Sequence, residues 1–600
     1  MPHTRSESVR HGRTRLLIKS KIGAVTLKTS DFRYELRRRL ESGSDRTLFR
    51  ILLSPGADPV ELTGRQLVAE SVAAAERYSR APERSVVLLL LPHSVELFLL
   101  HIGLVLTGRV PAILAWPTGR VDPRKYQRNL WHQLRNLPAA ELLTMPLLAR
   151  NLAAALPYAV APVEDTAGRH LDRIFEQLPM DAAPANLTST ISREAPEDAL
   201  FLQFSGGTTG AQKCIVVTGA MLETQLGKLA ATLAFGTSDS VVSWLPMYHD
   251  MGLIACLWLP LWTGAPSLQF SAQDWLMDPG LLFRLMERFR GTFCWLPNFA
   301  FSYLAAQRAR MQPASLAHVR AWIDCSEPVR QKSIDAFQAA FAEWGVAASH
   351  CQASYAMAEN VFAVTQTPLG MPPATALRRS LQGQSAEAGE ISFNLPDDVY
   401  VSSGTLLDGM RVRIRHADGR LCADRETGNI EIHTPCLFSG YWGADGFRTH
   451  VLTTDGWYST GDFGFTFDSN LFVIGRTKDI VIVGGQNVFP EDVEMLVNDV
   501  AGVYPGRVVA FGVEDDQQGT ENLAIVAEMR GEFDPAAAKT IEREIHRTVF
   551  ASIGIAPRFV RVTPERWIVK STAGKISRRE TRLRFLEEAA APAAVESRIR

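Results

Sequence analysis

The sequence lacks an excess of charge of either sign. Its 600 residues include 63 lysines and arginines and 64 aspartates and glutamates, a formal net charge of −1. Proteins that bind nucleic acid or an anionic membrane through their overall charge have a marked basic excess. The composition therefore predicts no nucleic-acid partner.

The sequence also lacks an uninterrupted apolar run long enough to cross a bilayer. Its most apolar stretch, residues 86–106, contains Pro92, His93 and Glu96, so we expect no stable membrane insertion. Residues 1–30 hold seven Lys/Arg and one Glu without the apolar segment of a secretion signal, which predicts a basic N-terminal arm. The seven cysteines show neither metal-ligand spacing nor a disulfide pattern. We therefore interpret the cysteines as reduced thiols and expect a cytoplasmic location.

The chain is too long for one hydrophobic core, so several structural units are expected. Short β-branched or leucine-rich runs alternate with longer amphipathic segments, as in residues 86–91, 95–107 and 110–115. This alternation predicts an α/β fold with largely buried parallel strands. From residue 479 the pattern changes to that of a compact α+β unit. The Ala-rich residues 589–600 are interpreted as a frayed tail.

A glycine-rich loop is the strongest local feature. In residues 201–213, Phe-Leu-Gln-Phe-Ser-Gly-Gly-Thr-Thr-Gly-Ala-Gln-Lys, an apolar strand leads into glycines and hydroxyls and ends at a lysine. Glycines let successive backbone N–H groups converge on an anion, and a lysine can neutralise phosphate. The pattern Gly-x-x-x-x-Gly-Lys-Ser/Thr is missing, and such a loop alone is often only a loop. The predicted phosphate-binding residues are Ser205, Gly206, Gly207, Thr208, Thr209, Gly210 and Lys213.

This loop resembles the phosphate loop of the adenylate-forming ligases, the superfamily of acyl-CoA synthetases, adenylation domains and luciferases. Gly206, Gln212 and Cys214 stand where that family usually has serine, proline and glycine. Other segments resemble its motifs in the family's order: residues 243–253, 291–301, 324–328, 354–359, 458–462, 475–479, 484–494 and 570–579. The resemblance implies a large N-terminal domain of α/β layers with a β-subdomain (31–477) and a small mobile α+β C-terminal domain (478–588).

The same resemblance implies that a carboxylate is joined to the α-phosphate of ATP with the help of Mg2+. The nucleotide would also contact Ser326, Glu327, Pro328, Ser354, Tyr355, Ala356, Met357, Ala358, Asp462, Arg476 and Lys575. The acid would contact His249, Asp250, Met251, Asn298 and Phe299. Thr209 and Glu359 would hold the metal, the catalytic residues would be Lys575, Glu359 and Lys213, and Lys478 would be the hinge of the C-terminal domain.

Some segments are most similar to one branch of the superfamily, the fatty acyl-AMP ligases. Residues 369–398 lie where that branch has an insertion, and residues 297–300 and 401–404 also resemble it. A long surface loop would explain the extra residues 369–398 equally simply. The branch implies a fatty acid as substrate, with other carboxylic acids left open. It also implies transfer of the acyl group to the phosphopantetheine thiol of a separate acyl carrier protein.

Three alternatives remain open. An acyl-CoA synthetase of the same fold would transfer the acyl group to CoA. A nucleotide-binding homologue without turnover would fit the departures in the glycine-rich loop, although the retained Glu359, Asp462 and Lys575 argue against it. An amino-acid-activating domain is disfavoured because residues 248–251, Tyr-His-Asp-Met, differ from the Phe-Asp-x-Ser setting usual in such domains.

Overall fold

The protein is represented by a computed structural model that describes residues 16–19, 24–27, 31–42, 45–116, 123–137, 139–153, 156, 159–163, 195–196, 198–204, 213–377, 399–443, 446–448, 451–483, 486–515, 520–570 and 575–596. Two large β-sheets with helices packed on them form most of this part of the chain. A smaller unit follows at the C-terminal end. The predicted α/β fold class is confirmed.

Eight strands form the first sheet. Val86–Leu90 lies between Val110–Ile113 and Glu141–Thr144, and the three run parallel. All three are buried along their whole length, which explains their apolar runs, because both faces of a parallel sheet are covered. The strand order is Gly446–Arg448, Tyr441–Gly443, Cys214–Thr218, Ala199–Phe204, Val110–Ile113, Val86–Leu90, Glu141–Thr144 and Ala159–Pro162.

Thirteen strands form the second sheet. Its middle is parallel, and its two ends are antiparallel. The strand order is Arg411–Arg415, Gly428–His433, Tyr458–Phe467, Asn470–Arg476, Thr405–Leu406, Ala363–Gln366, Cys351–Ala356, Ala321–Cys325, Phe293–Leu296, Val241–Ser243, Ser267–Gln269, Thr47–Ile51 and Val60–Thr63. The parallel strands share one carboxyl edge, and the functional site lies there.

Side-chain caps fix the starts of several helices. Thr63 and Gln66 form a reciprocal capping box at Gly64–Tyr78, and Ser94 caps Val95–Leu106. The apolar faces of these helices join one core with both sheets. The α-helices are Phe32–Ser42, Gly64–Tyr78, Val95–Leu106, Pro123–Asn136, Pro146–Ala153, Gly219–Thr232, Leu259–Thr263, Ala272–Met277, Leu281–Arg288, Asn298–Gln307, Gln331–Phe341, Pro490–Asn498, Pro535–Ile553 and Arg578–Glu596, and Met251–Trp258 is a π-helix.

The C-terminal part has its own hydrophobic core. Strands Val503–Asp515, Thr520–Met529 and Phe559–Thr563 form a mixed three-stranded sheet. Helices Pro490–Asn498 and Pro535–Ile553 pack against it, with their buried valines and isoleucines in the same core. These elements form the compact α+β unit that the sequence pattern after residue 479 predicted. The domain boundary at residue 478 stays a prediction.

The ends of the chain and the proposed insertion were also predicted from sequence. The N-terminal arm contains an antiparallel pair of strands, Leu16–Lys19 and Ala24–Leu27. Of residues 369–398, only 369–377 are described. The helix Arg578–Glu596 continues into the alanine-rich segment, as the high helix propensity of alanine allows, and the frayed tail stays a prediction. Among the described helices, none combines the length and apolarity needed to cross a membrane.

Candidate functional site

A cleft of about 2710 Å³ lies at the carboxyl edge of the parallel strands in the thirteen-stranded sheet. Side chains that directly follow such strands converge, because neighbouring parallel strands end at the same edge. The C-terminal unit forms the opposite wall. The predicted residues that line this cleft are Asn298, Phe299, Ser326, Glu327, Pro328, Ser354, Tyr355, Ala356, Met357, Asp462, Arg476 and Lys575. The other described ones, which lie outside its lining, are Lys213, His249, Asp250, Met251, Ala358, Glu359 and Lys478.

Asp462 and Arg476 face each other from two antiparallel strands, Tyr458–Phe467 and Asn470–Arg476. Arg476 Nε lies 2.7 Å from Asp462 Oδ1, and the Tyr355 hydroxyl donates to Asp462 Oδ2. The carboxylate is buried, whereas 44% of the guanidinium-bearing side chain is exposed. Strand register therefore fixes this pair in the cleft, as a site that orients a ligand requires.

The electrostatics of this group favour a bound ligand with hydroxyl groups. Burial raises the pKa of Asp462, and the Arg476 guanidinium opposes that rise. Burial, followed by the Asp462 charge, raises the pKa of the Tyr355 hydroxyl well above its usual value, so the phenol stays a proton donor. Each Asp462 oxygen has lone pairs beyond those used here. Asp462 can therefore accept hydrogen bonds from two neighbouring hydroxyls.

Glu359 lies in a single helical turn, Ala358–Asn360, and a side chain from another strand forms hydrogen bonds with the backbone there. Gln203 Nε2 donates to the carbonyl oxygens of Ala358 (2.8 Å) and Val361 (3.2 Å). Val361 has φ 63°, a strained value for a β-branched residue. Gln203 belongs to the strand that precedes the glycine-rich loop, so that strand and the Glu359 turn are positioned together.

The Glu359 side chain shares a small polar cluster with Lys213. The Tyr441 hydroxyl donates to Glu359 Oε1 (2.8 Å) and lies 2.9 Å from the Tyr458 hydroxyl. The Lys213 ammonium lies 4.4 Å from the centre of the Tyr441 ring, within cation–π range. Burial, then the Glu359 charge, raises the pKa of Tyr441. The structure thus brings Lys213 and Glu359 together through Tyr441, a residue that no sequence motif indicated.

The glycine-rich loop itself falls outside the described residues. This applies to Ser205, Gly206, Gly207, Thr208, Thr209 and Gly210. The strands on its two sides are described, and Phe204 pairs with Cys214 in antiparallel register. Both strands are buried in the first sheet, and Lys213 is exposed at the start of the second. The roles of the six loop residues stay predictions.

Lys575 reaches from the C-terminal unit into the cleft. Its Nζ donates to the carbonyl oxygen of Ser326 over 2.8 Å. Ser326 has φ 72° and directly follows the strand Ala321–Cys325. The lysine thus lies at the carboxyl edge of the sheet, on the same cleft as Asp462 and Arg476.

His249, Asp250 and Met251 lie behind the cleft lining. His249 Nδ1 is 2.7 Å from Asp250 Oδ1, which also accepts a hydrogen bond from the Met251 backbone N–H. Burial opposes ionisation of Asp250, but the charges of His249 and Lys575 outweigh it and keep the pKa of Asp250 below its ordinary value. Asp250 thus lies within electrostatic range of Lys575, and direct contact of these three residues with an acid stays a prediction.

Asn298 lines the cleft, but its amide is engaged within the protein. Its Nδ2 donates to Asp324, and its Oδ1 accepts from the Ser333 hydroxyl at 3.0 Å. Burial raises the pKa of Asp324 well above its usual range, with Asn298 opposing. Asn298 thus links a helix start to a buried strand, a structural role that the sequence did not predict.

Aromatic rings form the side of the cleft away from Asp462. Trp244 stacks on Trp275 with ring centres 4.0 Å apart, and Phe299 and Tyr303 pack at the edge of Trp275. We call these four residues the aromatic wall. Only Phe299 was predicted from sequence to contact the acid, although Trp244 lies in the motif segment 243–253. The other three escaped because aromatic residues in a cleft and in a core give the same sequence pattern.

Lys478 lies in the short turn Thr477–Asp479, directly after the strand that ends at Arg476. The core of the C-terminal unit begins at Val481. The turn thus connects the large sheets to the small unit. Its function as a hinge stays a prediction.

Comparison with known proteins agrees with this geometry. Residues 36–442 match the family described as AMP-binding enzyme. The chain is similar to the long-chain-fatty-acid–AMP ligase FadD28 of Mycobacterium tuberculosis (27% identity over 86% of this chain and 91% of the relative). It is also similar to the long-chain-fatty-acid–AMP ligase FadD32 of Mycolicibacterium smegmatis (26%, 88% and 89%). A solved structure from a study of fatty acyl-adenylate ligases from E. coli and L. pneumophila has the same fold, with a TM-score of 0.77 and 22% identity over 94% of this chain and 98% of the other. The chain belongs to the AMP-binding enzyme family.

Proposed function

We propose that this chain is a fatty acyl-AMP ligase. It joins a fatty acid to the α-phosphate of ATP, releases pyrophosphate, and passes the acyl group to the phosphopantetheine thiol of a separate acyl carrier protein. The observation behind this proposal is the contact of Lys575 with Ser326 on the cleft that also contains the Asp462–Arg476 pair. The names of the relatives support a fatty acid as the substrate.

The nucleotide occupies the carboxyl edge of the thirteen-stranded sheet. Asp462 accepts the two ribose hydroxyls, and the Arg476 guanidinium opposes the rise in the pKa of that carboxylate that burial causes. The adenine lies against residues 326–328 and 354–358. Tyr355, held by its hydrogen bond to Asp462, offers the base a fixed aromatic ring.

Glu359 suits Mg2+, which prefers hard oxygen ligands. Its carboxylate is partly exposed and oriented by the Tyr441 hydroxyl, so one oxygen can face a ligand. Thr209 in the glycine-rich loop is the second proposed ligand. When bound, the metal neutralises phosphate charge. Hydrogen bonds from Tyr441 and Gln203 keep the Glu359 turn in place, together with the strained Val361 that follows it.

Two anions, the acid carboxylate and the triphosphate, must approach each other, so catalysis is mainly positioning and charge neutralisation. A carboxylate oxygen attacks the α-phosphorus, the bond to the bridging oxygen breaks, and pyrophosphate leaves. Lys575 contacts the carboxylate and the α-phosphate, and Lys213 approaches the leaving phosphates. Lysine suits both roles as a compact charge on a flexible stem.

The acid lies along the aromatic wall, on the opposite side of the cleft from Asp462. Phe299 joins the two sides, because its backbone N–H donates to Glu327 Oε2 (3.0 Å) while its ring packs near Trp275. The apolar rings there, with Phe299 45% exposed, favour a hydrocarbon chain over a charged side chain.

An assay with ATP, Mg2+ and a panel of fatty, branched and aryl acids tests this function. We expect pyrophosphate release and an acyl-AMP detectable by mass spectrometry, with fatty acids the best substrates. A phosphopantetheinylated carrier protein should then take the acyl group, and CoA should take little. Abundant acyl-CoA would show an acyl-CoA synthetase instead, and no pyrophosphate with any acid would show a homologue without turnover.

A further inference from the structure

Arg578 is a motif residue that the proposed reaction leaves without a role. It lies three residues after Lys575, at the start of the helix Arg578–Glu596. Its side chain is only 16% exposed. Each of its three guanidinium nitrogens has a partner within 3.1 Å, and these partners are Asp479 Oδ2 (2.7 Å), Glu494 Oε1 (2.9 Å), Glu491 Oε1 (3.1 Å) and the carbonyl oxygen of Ala510 (2.9 Å).

These partners come from three different elements. Asp479 ends the turn that contains Lys478, and Glu491 and Glu494 lie one turn apart on the helix Pro490–Asn498. Ala510 belongs to the long strand of the small sheet. Arg578 therefore joins the connection between the two units to the body of the C-terminal unit.

The contacts continue toward the nucleotide side of the cleft. Gly475 packs so closely on Glu491 that an added Cβ would lie 2.9 Å from Glu491 Oε2. Gly475 directly precedes Arg476, the partner of Asp462. The series of contacts from Arg578 to Glu491 and then to Gly475 thus ends beside the Asp462–Arg476 pair.

The charge balance makes the guanidinium essential to this arrangement. Three carboxylates surround one cation, and burial raises the pKa of Glu494 to about 7 although Arg578 opposes the rise. Burial disfavours the charged Arg578, but Glu494, Glu491 and Asp479 outweigh it and raise its pKa. Loss of the guanidinium would leave buried carboxylates without a cation.

We propose that Arg578 is a positioning residue that places Lys575 against the nucleotide. This proposal rests on the proposed adenylation. Only two residues separate Lys575 from Arg578. One of them, Ser577, donates its backbone N–H to the Val569 carbonyl (2.8 Å), which fixes the backbone between the lysine and the arginine. Fixing Arg578 to Asp479 and Glu491 then sets the distance between Lys575 and the Asp462–Arg476 pair.

Pyrophosphate release by the full-length chain tests the proposal in Arg578→Ala, Lys575→Ala and the double variant. We expect kcat of Arg578→Ala to fall about 10²-fold, the cost of a small misplacement of a reacting group, with the KM for ATP nearly unchanged. In the Lys575→Ala background, Arg578→Ala should have almost no further effect, because the lysine that Arg578 positions is already missing. Arg578→Lys should recover only part of the rate, since lysine lacks the planar fork. Arg547→Ala, on an exposed helix face of the same unit, is the matched control.

Wild-type kcat in Arg578→Ala would overturn the proposal, as would a full additional loss in the Lys575→Ala background. If Arg578→Ala unfolds at the assay temperature, Asp479→Asn provides the same readout. This substitution removes one charged partner of Arg578 while keeping the size and shape of the side chain. A wild-type chain that forms no acyl-AMP with any acid would refute the proposed function itself. A working wild type with Arg578 variants equal to Arg547→Ala would refute only the positioning role.

Discussion

The two sides of the cleft are built differently. The side that we propose for the nucleotide, called the nucleotide side, consists of charged and hydrogen-bonded groups fixed by strand register, with Asp462 held between Arg476 and Tyr355. The side that we propose for the acid, called the acid side, consists of the aromatic wall, whose rings come from helices and strand ends and make few polar contacts. A directional site restricts its ligand to one arrangement of hydroxyls and phosphates. An apolar wall selects by size and shape, so it can change between relatives while the chemistry is retained.

The largest effect should come from Lys575 on the nucleotide side. Lys575→Ala should lower kcat for pyrophosphate release about 10³-fold with every acid, because its contacts strengthen in the transition state. The KM for ATP should change little. Lys539→Ala, an exposed lysine of the same unit, is the control. Pyrophosphate release by Lys575→Ala at the wild-type rate would remove this lysine from the mechanism.

A smaller effect is expected at Glu359. Glu359→Gln keeps an acceptor for the Tyr441 hydroxyl but removes the negative charge that Mg2+ requires. The Mg2+ concentration for half-maximal rate should rise roughly 10-fold, as for other losses around a metal site. A magnesium titration measures this shift, with the exposed Glu343→Gln as the control. An unchanged titration curve would argue against Glu359 as a metal ligand.

The smallest and most selective effect should come from Phe299 on the acid side. Phe299→Ala should change kcat/KM for long and short acids unequally, by about 3- to 10-fold, because pocket contacts discriminate by size. The KM for ATP should stay the same. Phe550→Ala, another exposed phenylalanine, is the control. An equal loss with every acid, or a change in ATP binding, would break the distinction between the two sides.

Motifs in the sequence contain more residues of the polar side of the cleft than of its aromatic side. Asp462, Arg476, Tyr355 and Lys575 stand in short motifs whose resemblance to those of one family implied a common site, and the structure brings them to one cleft. Trp244 lies in the motif segment 243–253 without a predicted contact, and Tyr303 lies in no motif, since their role depends on which helix faces which strand end. The predicted α/β layers were also right, because buried parallel strands leave continuous apolar runs.

Other parts of the site could not be predicted from the sequence, for a physical reason. Tyr441 links Lys213 to Glu359 across two sheets, and long-range contacts of this kind leave no local signal. The same holds for Arg578, whose partners lie far from it in sequence. At Asn298 the motif indicated a substrate contact, whereas the amide is engaged with Asp324 and Ser333.

The central claim, attack of a carboxylate oxygen on the α-phosphorus of ATP, is tested most directly with an 18O-labelled fatty acid. The wild-type chain, ATP, Mg2+ and the labelled acid are incubated, the acyl-AMP is consumed by the thiol of the carrier protein, and the products are analysed by mass spectrometry. The bond formed at phosphorus contains the carboxylate oxygen, so the released AMP should contain one 18O atom and the pyrophosphate none. Unlabelled AMP, or 18O in inorganic phosphate together with ADP, would contradict adenylation.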